Sequence, residues 1–400
     1  MNNIAKKLRQ AREQAGLTQA EAAQALGVVR ELISLWESGK RSPSLAHLRD
    51  LARLYGVEEE SLFSKDALQP IQSRALLLRG AALSSPSRLE LGRWLDFLDS
   101  WADFLSDLNE ELKPLRRPPR TLDKGGDYTD RRSVSQLAEQ VRAHYNLGLD
   151  ALPDLYAFLD DLGVIVYRAP LGPLSESKIS GAFYNHPQLG WSVLVNVNTT
   201  PGRQAFTLAH EFAHALYHYR TQGIISRSNE KPPRERFADA WAAHFLVPGK
   251  AIRNQLRKLN DDPKVRGPFQ ALWLARYFRV SYNTMLIRLR SERLIDQSTY
   301  DEWRFYSVSD LAQRLGLPVE DYKVPEDKMA GNWNLRRYPL SVLEKSRRAI
   351  EDRLISVAEV AAVLDVDRTT LEIDLLSLPK KGPTESQVRE AREFEDVLPF

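Results

Sequence analysis

Between Thr207 and Pro248 the chain carries two helical segments, TLAHEFAHALYHYRTQ and ERFADAWAAHFLVP, joined by a short polar loop. His210, Glu211 and His214 form H-E-x-x-H inside the first. On a helix, positions i and i+4 lie on one face about 5–6 Å apart, so both imidazoles reach one ion. The rest of that helix is apolar, so it must be buried with one polar edge turned to a partner. Glu211 is one step round from His210. It misses the ligand set there but touches a water beside the ion, which suits a general base.

Glu235 and Asp239 are again i and i+4, on the face opposite Ala238, Trp241, Ala242 and Phe245. A catalytic zinc needs a third protein ligand and an open position, and Glu235 can be that ligand. Asp239 can accept a hydrogen bond from the free ring nitrogen of a ligating histidine, fixing its tautomer. Gly223, Pro232 and Pro233 fall in the connecting loop and let the two helices fold back. Two imidazoles and a carboxylate suit Zn2+, with Mn2+ or Fe2+ as alternatives. Tyr217 and His218 lie near the ligand face and receive no role.

These residues resemble the ImmA/IrrE metallopeptidases, on TLAHEFAHALYH followed by E-x-x-A-D-x-W-A-x-x-F-L-V-P. The upstream run SGAFYNHPQLGWSVLVNVNTTPGRQAF is similar to the strand hairpin before the zinc helix in that family. The likeness extends from Ser133 to Ile295. It implies a thermolysin-like zinc arrangement and a protease that cleaves helix-turn-helix repressors. His244 departs from the pattern, which carries a non-histidine polar residue there; of lining the site or lying on the surface, the latter is expected.

The first 65 residues give a second resemblance. Thr18 caps a helix with Glu21 at the capping-box position, and Gly27 makes a turn. Leu32, Ile33 and Trp36 anchor a third helix, and Gly39 and Pro43 precede a fourth from Leu45 to Tyr55. The string LTQAEAAQALGVVRELISLWESGKRSPS resembles the XRE-type helix-turn-helix. That resemblance implies a third helix in the major groove. Gln19 would touch phosphate, Val29, Arg30, Glu31 and Ser34 would face bases, and Lys40 and Arg41 would meet the backbone. Val29 replaces the usual Ser, and Glu31 brings negative charge towards DNA. Docking of another repressor's domain stands as the alternative to DNA.

At 400 residues the prior is two to four domains. We divide the chain into 1–65, a helical segment and linker over 66–132, a peptidase-like unit over 133–295 and a helical region over 296–400. An apolar fraction of 43% with 27% charged is that of a globular protein, and a net charge of +3 is too small to demand nucleic acid. The chain has no cysteine, which excludes disulfides and thiolate metal sites and favours a reducing cytoplasm. No signal peptide or membrane-length apolar run is present, so no membrane partner is expected.

Leu91, Leu95, Leu98, Trp101, Leu105 and Leu108 form an amphipathic stripe that packs either within the chain or across a homodimer. Gln72 to Leu112 reads as two helices broken at Ser84, and Lys113 to Arg132 as an exposed linker. Helices are expected over Val134–Tyr145 and Leu152–Leu162. Strands are expected over Val164–Tyr167, Gly181–Tyr184 and Trp191–Asn196. The last, leading towards Thr207, is our candidate edge strand for an extended substrate. Leu272 to Leu289 and Val357 to Leu376 each read as helix-turn-helix, the latter too acidic for phosphate.

The expected class is α+β, mostly helical, with a zincin-like core and a small sheet. The expected function is zinc-dependent cleavage of a transcriptional repressor. The alternative is a DNA-binding regulator whose peptidase fold senses a ligand or partner without turnover. The Leu91–Leu108 helix or the C-terminal region is expected to restrain the site by covering the edge strand.

Overall fold

The computed structural model describes residues 3–64, 67–68, 84–108, 131–152, 154–218, 223–227, 232–319, 323 and 333–375. The helix expected before Ser84 and most of the linker after Lys113 lie outside these. The last two linker residues, Arg131 and Arg132, already belong to a helix.

The N-terminal helices are α1 (Asn3–Gln14), α2 (Gln19–Leu26), α3 (Arg30–Glu37), α4 (Leu45–Tyr55) and α5 (Glu59–Phe63). Glu21 N donates to Thr18 Oγ1 at 3.2 Å and Thr18 N donates to Glu21 Oε2 at 2.7 Å, so the capping box forms. Gly27 closes α2 at φ 66°, a left-handed turn that glycine adopts without steric cost. Leu8, Ile33, Trp36, Leu51 and Leu54 fill the core. Arg12 grips Glu37 through two bonds of 2.7 and 3.0 Å, which satisfies two buried charges at once.

Helices α6 (Ser85–Asp107), α7 (Arg131–His144) and α8 (Leu155–Asp161) lead to the sheet. Its strands are β1 (Ile165–Ala169), β2 (Ile179–His186), β3 (Gly190–Asn196) and β4 (Gly223–Arg227). The order is β1-β3-β2-β4, with β1 parallel to β3 and the other pairs antiparallel. Around and after β4 come α9 (Pro201–Tyr217), α10 (Pro233–Leu246), α11 (Gly249–Asn260), α12 (Pro268–Tyr277) and α13 (Tyr282–Ser291). The chain continues through α14 (Gln297–Trp303), α15 (Val308–Arg314), α16 (Trp333–Arg336), α17 (Leu340–Glu351) and α18 (Val357–Val363).

Successive strand residues face opposite ways, and here both faces are buried. Val166, Phe183, Val193 and Val195 pack under α9 and α10. Tyr167, Ala182, Tyr184 and Leu194 pack against α6, α17 and α18. The stripe on α6 is therefore satisfied within the chain. Trp94 is fully buried, and its indole Nε1 donates to Ser192 Oγ at 2.9 Å. The far side of α6 carries Leu89 into the N-terminal core. Arg53 of α4 reaches Asp96 at 2.5 Å and Asp365 at 2.8 Å, tying the N-terminal helices to α6 and the C-terminal region.

Two expectations are corrected. The segment between the two motif helices holds strand β4, where a polar loop was expected. Trp191–Asn196 is an interior strand, because both its edges are spent on β1 and β2; β4 lies at the sheet edge. Among the described residues, α6 and the C-terminal helices cover the sheet face away from α9, and Ile225 of β4 packs against the same cluster. Packing also crosses the boundary at 295, since Leu311 and Ala312 share a core with α9 and α10. Among the described residues no helix is long and apolar enough to cross a membrane.

Because Trp94 fills the seam between α6 and the sheet, Trp94→Ala should destabilise the fold by about 3–5 kcal/mol. Chemical denaturation followed by circular dichroism measures it. A loss near zero would show that α6 is not part of the core.

Candidate metal centre

The polar edge of α9 meets α10 at one point. His214 Nε2 and His210 Nε2 lie 3.1 Å apart, His210 Nε2 lies 3.1 Å from Glu235 Oε2, and His214 Nε2 lies 3.5 Å from Glu235 Oε1. All three side chains are buried. Among the described residues they form a set able to hold a metal, with donor atoms within 4.8 Å of one another. Zinc bonds of 2.0–2.1 Å give a tetrahedral edge of about 3.3 Å, so the spacing fits. At 3.1 Å the two imidazole nitrogens either share a proton or face a common cation.

The outer ring nitrogens fix the tautomers. For Nε2 to offer a lone pair, the proton must sit on Nδ1. His210 Nδ1 then donates to Asp239 Oδ1 at 3.0 Å, and His214 Nδ1 donates to His218 Nδ1 at 3.0 Å. The electrostatics agree with a cation site. Burial lowers the His210 ring, but hydrogen bonds to Asp239 and Glu235 outweigh it and push it up to about 10. Burial drives His214 down to about 4, leaving it neutral. Burial would raise Glu235, yet the two histidines hold it well below the carboxylate range. A proton on His210 thus takes the place a divalent cation would fill.

Glu211 is fully buried, and neither carboxylate oxygen meets a hydrogen-bond donor. Burial pushes it up to about 8, against the pull of His210. Its place depends on Gly181 of β2. A Cβ there would lie 2.6 Å from Thr207 Cγ2, 2.8 Å from Leu194 O and 3.0 Å from Glu211 Oε1. Glycine is what lets α9 descend onto the strand. A cleft of about 550 Å³ opens beside the centre, lined by Arg203, Phe206, Ser226, Arg236, His244 and Ile287 among others. His244, expected on the surface, is half-buried and forms part of that wall.

The structure thus brings His210, Glu211, His214, Glu235 and Asp239 together. Sequence reasoning missed four contributors. Gly181 and His218 were visible as a glycine inside a strand and a histidine at i+4 from His214. Ser226 and Arg203 had no signal, since each reaches the cleft only through tertiary packing. At the N-terminal helices, Val29, Arg30, Glu31, Ser34, Lys40 and Arg41 are all exposed. Val29 begins α3 with no side-chain cap and is 65% exposed. Gln19 is half-buried, and its Nε2 donates to Glu37 at 2.9 Å.

Comparison with known proteins agrees with this geometry. The peptidase M78 family model, described as the IrrE N-terminal-like domain, matches residues 159–290, and a helix-turn-helix model matches residues 8–62. The chain carries an IrrE-like peptidase M78 domain and, before it, a helix-turn-helix domain. The XRE-type helix-turn-helix is thus fused to the IrrE-like domain in one chain. The HTH-type transcriptional regulator ImmR of Bacillus subtilis is 35% identical over 75 residues, 19% of this chain and 59% of that protein. The chain therefore spans only about three-fifths of that relative. An HTH-type transcriptional regulator of Archaeoglobus fulgidus is 40% identical over 60 residues, 15% of this chain and 86% of its own length.

If His214 is a ligand, His214→Ala should purify without the stoichiometric metal that the parent chain retains, as read by elemental analysis. Asp239→Ala should keep the ligands but weaken affinity about 10–100-fold, because the His210 ring loses its anchor. Chelator competition measures that loss, and an unchanged affinity would leave Asp239 without a role.

Proposed function

We propose that the chain is a zinc-dependent endopeptidase that cleaves a helix-turn-helix transcriptional repressor, inducing a stress, phage or mobile-element response. The observation that carries this reading is the buried, unpartnered Glu211 carboxylate beside the His210–His214–Glu235 cluster. Such a carboxylate is costly unless a cation and a polar substrate group lie next to it. A zinc ion held by His210, His214 and Glu235 would polarise a scissile carbonyl and bring the pKa of an adjacent water to about 7.

Glu211 then takes a proton from the attacking water and delivers it to the leaving amine nitrogen. Its raised pKa suits a group that must both accept and return a proton near neutral pH. Asp239 and His218 hold the two rings in register. Strand β4 lies at one end of the sheet with Ser226 on the cleft wall, and an extended substrate would add to it by main-chain hydrogen bonds. Arg203 and Arg236 on the cleft walls favour substrate segments bearing acidic side chains.

The N-terminal domain supports a regulatory role alongside. The exposed face of α3 is the one that such folds place in the major groove, where Val29 can meet a thymine methyl and Arg30 a guanine edge. Cleavage and DNA binding then reside in one chain, with a cytoplasmic site of action.

Glu211→Gln should keep its metal and lose cleavage of co-encoded repressors by at least about 100-fold, since general-base catalysis contributes 10²–10⁴. Full activity in that variant would leave the non-catalytic regulator as the better reading. Separately, DNA binding by the full chain should fall steeply with salt, and Arg30→Ala and Lys40→Ala should each weaken it. Electrophoretic mobility shifts that ignore both substitutions would turn the third helix towards a protein partner instead.

A further inference from the structure

A second cavity, of about 620 Å³, lies on the other side of the α12–α13 turn from the metal cleft. Ser281 and Asn283 line both spaces. Leu155, Leu208, Leu246, Phe278 and Val280 make its interior largely apolar. A volume of this size is that of small-molecule sites, which combine apolar walls with a few placed polar groups.

The charged groups here are mostly of one sign. Arg276, Arg279 and Arg304 stand around the cavity with Asp154, and Arg304 also lies 3.8 Å from Asp301. Asp154 is already spent, its Oδ1 accepting from the amides of Tyr156 and Ala157 at 2.9 and 3.1 Å to cap α8. The first turn of α9 also borders the cavity through Thr200, Pro201 and Gly202, and Thr200 gives that helix no side-chain cap. An uncapped helix start favours negative charge. Tyr282 adds an independent sign. It is 5% exposed, it lines the cavity, and its hydroxyl has no hydrogen-bond partner. A buried hydroxyl left unbonded costs about 1–3 kcal/mol, which an acceptor on a bound molecule would recover.

We propose that this cavity is a binding site for a small amphiphilic carboxylate. Its apolar body lies among Leu155, Leu208, Leu246 and Phe278. Its anionic end meets the arginines and the start of α9, and accepts from Tyr282. The position matters because α9 has no slack at this end. A Cβ on Gly202 would lie 2.6 Å from Ser281 N and 2.7 Å from the Val280 carbonyl carbon, so α9 is seated directly on the turn between α12 and α13. An occupant therefore touches the helix that carries His210, Glu211 and His214, at the end away from them.

The test is isothermal titration of the full-length, metal-loaded chain with sodium decanoate, with N-acetyl-Leu-Leu and with decanol. Both carboxylates present an apolar body and an anionic end, so the tighter of them identifies an acyl chain or a peptide C-terminus as the source. We expect saturable binding of at least one, with decanol about 10-fold weaker or more, a difference of about 1.4 kcal/mol. The double substitution Arg279→Glu/Arg304→Glu, both exposed positions, should abolish the preference for the carboxylate. Ala205→Trp, which fills the cavity from α9, should abolish binding of all three; if it does not fold, the exposed pair carries the test. Absence of saturable carboxylate binding overturns the proposal. So does equal binding of decanol, or binding that the exposed pair leaves unchanged.

Discussion

The close approach of α9 to β2 at Gly181 is the contact on which the rest of the centre depends. A helix laid on a sheet ordinarily stands about 10 Å off, with side chains filling the gap. Here the strand has no side chain at the point of contact, and the Glu211 carboxylate takes the space a methyl group would fill. That removes Glu211 from water without offering it a donor, which explains both its orphaned oxygens and its raised pKa. It also rotates the next positions of α9, His210 and His214, away from the sheet and onto α10, where Glu235 and Asp239 wait. One missing side chain on a strand thus sets the base, the ligands and the anchoring carboxylate in a single orientation.

The sheet that supplies this contact is shared. Its second face is buried by α6 and the C-terminal helices, and α6 is simultaneously part of the N-terminal core through Leu89. Arg53 then joins α4, α6 and the segment at Asp365 through a single guanidinium that is itself buried. Asp50 is a third partner at 3.2 Å, so this buried cation is met by three carboxylates. A disturbance of the N-terminal helices has a packed route, α4 to α6 to the sheet, towards the strand that seats Glu211.

The legible parts of the sequence were those with local causes. Thr18, Glu21 and Gly27 define their turn by hydrogen bonds and φ alone, and the structure places them as read. The i and i+4 spacings of His210–His214 and Glu235–Asp239 fix which side chains share a face, so the candidate ligand set could be named before any fold was known. What remained hidden was decided by pairing between distant segments. Gly223–Arg227 has only two apolar residues, Ile224 and Ile225, and pairing with β2 makes it a strand. The apolar run of β3 reads the same at an edge as in the interior, because a strand buried on both faces loses its alternation. The stripe on α6 declared an apolar partner without saying whether it lay in this chain or a second copy. The sheet's second face answers that.

Placing α6 and the C-terminal helices on the far face changes where restraint on the site can originate. Among the described residues the cleft walls come from α9, α10, α13, the ends of β2 and β4, and Leu174; none come from α6 or from the C-terminal helices. The described parts of those elements stand on the far face of the sheet. Cutting the chain down to 133–295 would uncover Tyr167, Ala182, Tyr184 and Leu194, an apolar surface that favours aggregation over faster turnover. Any influence of those helices on the centre must act through the sheet they support, by shifting the seat of Glu211 at Gly181. The tolerance there is a few tenths of an ångström, since the gap is already filled by a carboxylate and a threonine methyl. A small change in sheet packing is then enough to move a base out of reach of its proton, while the buried ligands stay where they are.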